Sequence, residues 1–315
     1  MTNKNKKRRE SPHAPSRHRQ EGPERDVPTP RPGLLGSVFS ARGTGATNMP
    51  RVRTTFARGV AVVVSTPVIL VGTVGGVFVI WLGTLLLGFQ GPASSLASAL
   101  AMPPIGTLFD LRIAGQVLGT DTGSFVAGIL GSTLLRSVVI GILLGLAVDV
   151  LESGRLSSSG IRRGLLAAPT IVIVSVIEIG FVLVSNVLSQ IVGRGLGLFV
   201  GVATIAAAVF LLGYAPVAQL REGRGILMSL SRSSAAARIP GSSALAMALL
   251  YTVPGLLILQ TPAGGLGVNP SPLMWVFVLF ANVLHVAVLA TYAYRWMCVE
   301  DEVPEPVARA RSRHR

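Results

Sequence analysis

Long apolar runs alternate with short polar connectors from residue 60 to residue 297. A helix needs about 20 apolar residues to cross the hydrocarbon core of a bilayer. Six runs approach or exceed that length: 60–88, 126–151, 165–191, 196–218, 243–260 and 273–297. The pattern predicts an all-α fold, a polytopic membrane bundle of six transmembrane helices over 59–298. Pro254 is expected to kink the fifth and shortest run, with neighbouring helices satisfying the freed carbonyl. Residues 92–118 are too apolar for a simple loop, and Pro103 and Pro104 break any single helix there. They suggest a short interfacial or re-entrant segment.

Composition agrees with the pattern. Of 315 residues, 50% are hydrophobic and 13% charged, with a mean hydropathy of +0.60. A soluble domain carries about 25% charged residues. The formal charge of +14 does not point to nucleic acid, because it collects in the arm, the tail and alternate connectors. Residues 1–58 hold 13 Lys and Arg among many Pro and Ser, and predict a disordered basic arm. It is not read as a signal peptide, since mostly polar residues fill it up to the first apolar run. Residues 299–315 predict a charged tail. With the arm placed in the cytoplasm, 25 basic residues fall inside and two, Arg112 and Arg194, outside. The bias sets both termini in the cytoplasm of a multi-pass cell-membrane protein, with anionic membrane lipids as expected partners.

Two ionisable residues lie deep within apolar runs, Arg136 on the second and Glu178 on the third. Counting from the basic ends of the two runs puts both at a depth of about 20 Å. The short connector makes the runs antiparallel neighbours, so a salt bridge is expected: a lone charge at mid-depth costs about 2.5–3.5 kcal/mol. The pair could be a pin that fixes register or part of a substrate or proton site. Asn282 and His285 on the sixth run, at similar depth, favour the site, since His titrates near neutral pH. Small-residue pairs at Gly72/Gly76, Gly141/Gly145 and Gly197/Gly201 suggest close helix packing within the chain.

The basic connectors 152–164 and 219–242 resemble each other, with Glu152 and Arg155 in one and Glu222 and Arg224 in the other. Arg162 and Arg163 close the first. In the second, Ile226, Leu227 and Leu230 share a helical face, with Arg224 and Arg232 available to headgroups, as in a short helix lying on a leaflet. Glu152, Arg155, Arg162, Arg163, Arg221, Glu222, Arg224, Arg232 and Arg238 are therefore the candidate contacts for lipid or for a protein partner. The stretch Tyr214-Ala215-Pro216, Leu220-Arg221-Glu222-Gly223-Arg224-Gly225 and Leu230-Ser231-Arg232-Ser233 is similar to one in six-span bacterial and archaeal proteins. These are grouped with the membrane domain of glycerophosphoryl diester phosphodiesterases. The resemblance implies a membrane-embedded module with lipid or envelope associations and no catalysis. Ala235-Ala236-Ala237, Gly241, Tyr251, Val253 and Pro254 also resemble, in spacing, the coupling loop of ABC importer permeases, with Ala235 where that family has Glu.

No Gly-x4-Gly-Lys-Ser/Thr loop and no His-Glu-x-x-His is present. The fourth run has Thr204 and no Ser to serve a serine protease, and Ser175 and Ser185 on the third lack the expected setting. Cys298 is the one cysteine, so neither an intrachain disulfide nor a Cys-based metal site is possible. No enzyme, cofactor or metal is expected. Two functions stand: a non-enzymatic lipid- or partner-associated membrane module, and a transport subunit, ABC-permease-like or proton-coupled, with a path past Arg136, Glu178 and His285.

Overall fold

A computed structural model of the chain describes residues 51–86, 100, 122–239, 243–260 and 272–303. Most of the expected arm, the segment 92–118 apart from Leu100, and the tail beyond Val303 lie outside the described residues. The fold is all-helical among the described residues: α1 (Val52–Ser65), α2 (Pro67–Leu86), α3 (Thr122–Ser153), α4 (Ser158–Val192), α5 (Arg194–Leu212), α6 (Ala215–Glu222), α7 (Ile226–Ala237), α8 (Ala244–Gln260) and α9 (Pro272–Val299). A 3-10 turn, Glu300–Glu302, follows.

Four stretches are long and apolar enough to cross a membrane: Leu130–Ser153, Ser158–Phe181, Ala203–Glu222 and Trp275–Glu302. The bent pair α1 and α2 raises the number to five among the described residues. Two of the six expected runs depart from this set. The run 60–88 is not one helix, because α1 ends at Thr66, whose extended backbone (φ −113°, ψ 93°) is what the following proline imposes. Pro67 then opens α2, where its missing N–H costs nothing, and the two helices meet at a bend of 84°. Residues 52–58, assigned to the arm, are the first turns of α1. The second departure is α8, at 17 residues only about 25 Å long. It continues as helix past Pro254.

The α3–α4 hairpin makes the most extensive helix contact. Its cause is glycine on both partners. A Cβ on Gly141 would sit 2.5 Å from the Gly164 carbonyl oxygen, and one on Gly145 would collide with the Gly160 carbonyl. The two backbones touch directly, as small residues permit where lipid gives no hydrophobic drive for association. Gly141/Gly145 thus pack within the chain, against Gly160/Gly164, a pair that the sequence did not single out. Gly76 plays the same part between α2 and α3, where a Cβ would lie 2.6 Å from Val139 Cγ1. The surroundings of Gly197/Gly201 are outside the described residues.

At the far end of α2, Phe78 stacks on Trp275 at 5.4 Å and Trp81 meets the same ring edge-on at 5.9 Å. Tyr214, Tyr292 and Trp296 cluster at the opposite end, with centroids 5.1 and 5.7 Å apart. Tyr214, Tyr292 and Trp296 are buried in the core.

Replacing Gly145 by Ala should destabilise the bundle by about 1–3 kcal/mol through overpacking against backbone. Gly75→Ala, with nothing within 4 Å of the new Cβ, should be neutral. Thermal unfolding in mild detergent, followed by size-exclusion fluorescence, distinguishes the two.

Candidate functional site

A belt of buried polar side chains runs through the inside of the bundle. Helical spacing of three and four residues puts Ser132, Thr133 and Arg136 on one side of α3, Ser175 and Glu178 on α4, and Asn282 and His285 on α9. Tyr251 and Thr252 on α8 add to them, and all nine are buried. Tyr251 is the common neighbour: its ring lies 6.0 Å from that of His285, and it is within electrostatic reach of both Glu178 and Arg136. The three ionisable residues picked from the sequence therefore belong to one region. Asn282 holds it to the chain before α3, accepting the Leu100 N–H at 2.9 Å and donating to the Val278 carbonyl at 2.8 Å.

The expected ion pair is not made by hydrogen bonding. Both carboxylate oxygens of Glu178 are buried without a hydrogen-bond partner, as is Nδ1 of His285. Counting residues along two antiparallel helices fixes the height of each side chain but not its azimuth, and azimuth decides whether guanidinium and carboxylate meet. A buried carboxylate with no donor loses its hydration without compensation.

The end of the bundle that carries the two basic connectors is closed by ion pairs. Asp149 is a centre of them. It is 97% buried by its 3% exposure, pairs with Arg163, and accepts the Ser157 N–H and hydroxyl at 3.1 and 2.7 Å. Arg163 also reaches Glu152 at 2.9 Å. Glu152 pairs in turn with Arg221 at 2.5 Å, and Arg221 grips Glu300 through two bonds of 2.7 and 2.6 Å. Arg221 thereby joins α3, α6 and the turn after α9, with the fork geometry that suits a carboxylate. Beyond it, Glu222 accepts from Arg232 at 2.8 Å and from Arg224 at 3.1 Å. Arg232 also donates to the Glu300 carbonyl at 3.0 Å and lies 5.9 Å from the Trp296 ring.

For Arg232 this corrects the expectation of a headgroup contact. Glu152, Arg163, Arg221, Glu222, Arg224 and Arg232 make ion pairs within the chain, and Arg232 is buried instead of facing headgroups. Arg155, Arg162 and Arg238 are exposed. On α7, Leu227 is 84% exposed, so the apolar face predicted there is only partly covered. Cys298 is exposed and free.

The residues that carry the phosphodiesterase-domain resemblance build the turn from α5 to α7. Gly223, left-handed at φ 64°, ends α6 and donates its N–H to Gln219 at 2.8 Å. Ser233 accepts the Tyr214 N–H at 3.1 Å and donates to the Leu211 carbonyl at 2.7 Å, tying α7 under the break between α5 and α6. Tyr214 also receives the Nε–H of fully buried Arg295 at 3.4 Å. Arg295 and Glu300 were missed in the sequence because they lie at the end of an apolar run, where charges are ordinary.

A double-mutant cycle on Arg221→Ala and Glu300→Ala should give a coupling of about 1 kcal/mol or more, above the range of an exposed pair. Urea or thermal unfolding of the four proteins in one detergent measures it.

No protein-family model, curated protein or solved structure matches the chain.

Proposed function

We propose that the chain is a six-span cell-membrane protein of the transport class, with both termini in the cytoplasm. In this topology α2 is the first span and α8 the fifth, and the ion-paired end is cytoplasmic, in keeping with the distribution of Lys and Arg. The belt of Arg136, Glu178, Tyr251, Asn282 and His285 takes up a proton or a small polar solute. The observation that carries this is the state of Glu178, with both oxygens buried and lacking hydrogen-bond partners. A structural pin requires that the carboxylate be held by its partner, whereas a site requires acceptors left open for a ligand. The ion-paired layer below the belt supports the same reading, since a transport path needs a closure on one side in each state.

A second reading has its own observation. Exposed Arg155 and Arg162 stand in the chain beside the exposed apolar residues Leu156, Ile161 and Leu165, a combination suited to anionic lipid or to a membrane partner. This is the lipid-associated module that the phosphodiesterase-domain resemblance implies. The permease resemblance gains no such support, because Ala236 and Ala237 are buried against the core and not offered to an ATPase.

Purified protein reconstituted into vesicles holding a pH-sensitive dye tests the proposal. Proton flux, or a current evoked by small charged solutes, is expected from the native chain, and Glu178→Gln should lower it at least about tenfold, within the range for loss of a group acting in proton transfer. Silence of the native protein towards protons and solutes alike, with stoichiometric retention of anionic lipid, would favour the second reading.

A further inference from the structure

A line of buried polar groups leaves the belt along α9. Helical spacing of three and four residues puts Asn282, His285, Leu289, Tyr292 and Trp296 on one stripe of that helix, and all of them are buried. The opposite face, with Ala287 and Thr291, is taken by α1 at Gly59, so the stripe looks into the bundle. Among the described residues, Nδ1 of His285, the hydroxyl of Tyr292 and Nε1 of Trp296 have no hydrogen-bond partner, and neither have the two oxygens of Glu178 on α4. From His285 to Trp296 the stripe covers about 16 Å of helix. It ends at the ion-paired layer, where the Arg232 guanidinium lies 5.9 Å from the Trp296 ring.

Two tyrosines join the ends of this line. Leu289 fills the stripe between His285 and Tyr292, so a polar route passes to its side. Tyr251 stands beside it: its ring is 6.0 Å from that of His285, and it is within electrostatic reach of both Glu178 and Tyr292. Tyr292 is itself within reach of Glu178, Tyr214 and Arg295. Buried polar atoms in folded proteins are hydrogen-bonded, and ordered water serves those that the protein does not. A hydroxyl accepts from one water and donates to the next, whereas an indole N–H only donates and so fixes a water in place. The surroundings admit little else. Tyr292 packs on Gly213, where a Cβ would lie 2.8 Å from the ring. Tyr214 stands edge-on to it at 5.1 Å and lies 5.7 Å from Trp296. Walls this close pass water and protons, but not a polar solute of several heavy atoms.

We infer that a file of water molecules runs from Glu178 and His285 past Tyr251 and Tyr292 to Trp296, and that what it carries is the proton. The inference rests on the transport reading above and names its substrate. In each passage one water gives a proton to the Tyr292 oxygen while the hydroxyl releases its own to the next water. The residue ends neutral and unchanged, and no second reactant is consumed. Full-length protein in vesicles holding a pH-sensitive dye supplies the first half of the test. Tyr292→Phe keeps the ring against Gly213 and removes only the hydroxyl, and proton flux should fall at least about tenfold. Tyr294→Phe, off the stripe, should leave the flux unchanged. The second half needs no activity: millisecond X-ray radiolysis turns bound water into hydroxyl radical, which oxidises the side chain beside it. Tyr292 and Trp296 should be oxidised although both are buried. With native proton flux present, flux that survives Tyr292→Phe, or absence of oxidation at both rings, overturns the inference and leaves the transport reading standing. A native chain that moves a small solute and no protons overturns the inference alone. Silence towards both overturns the transport reading and the inference together, even where the two rings are oxidised.

Discussion

Direct backbone contact between α3 and α4 is the constraint on which the rest of the structure depends. Gly141 and Gly145 face Gly164 and Gly160, and nothing larger fits at these four positions without moving a helix. The contact sets the spacing of the two helices along their connector half. Arg136 and Glu178 then lie on the far side of it, and Asp149, Glu152 and Arg163 on the near side. One packing solution therefore serves two chemistries, an ion-paired closure at the connector end and a polar belt within.

The closure and the belt differ in how they treat charge. At the connector end each buried or half-buried carboxylate has a cation within reach, and Arg221 and Arg232 are shared among several helices. Such pairs hold segments in register, and removing one member leaves its partner buried and exposed to the full desolvation cost. In the belt the opposite holds for Glu178, whose oxygens have neither cation nor hydroxyl bound to them. Tyr251 and His285 stand close enough to shape the site. A leucine or glutamine would fill the same space without burying a carboxylate that has no donor.

Much of this was legible in the chain and some was not, for identifiable reasons. Apolar length located α3, α4, α5 and α9 because solvation by lipid depends on composition alone. It overran at 60–88, where Pro67 breaks an apparently single run into two helices that meet at 84°, whereas 243–260 is one helix, α8. Depth counting put Arg136, Glu178 and His285 at one height, and Tyr251 neighbours all three, yet counting could not supply the rotation of each helix, and the carboxylate of Glu178 is left without a hydrogen-bond partner. The connector arginines were recognised as a group, but their partners lie outside the connectors: Asp149 stands within the apolar run 14 residues before Arg163, and Glu300 is 79 residues beyond Arg221, out of reach of any local pattern. Glycine spacing found one half of the α3–α4 contact. Gly160 and Gly164 carry the same four-residue spacing and were hidden by standing partly in a connector.

The most direct test of an unpaired Glu178 is the stability of Glu178→Gln beside that of the charge swap Arg136→Glu with Glu178→Arg, measured by thermal unfolding in one detergent. With no partner on the carboxylate, Glu178→Gln should fold at least as stably as the native chain, and the swap should not outperform it. A loss of about 3–5 kcal/mol, the cost of breaking a buried ion pair, restored by the swap, would contradict this and return the pair to the role of a pin.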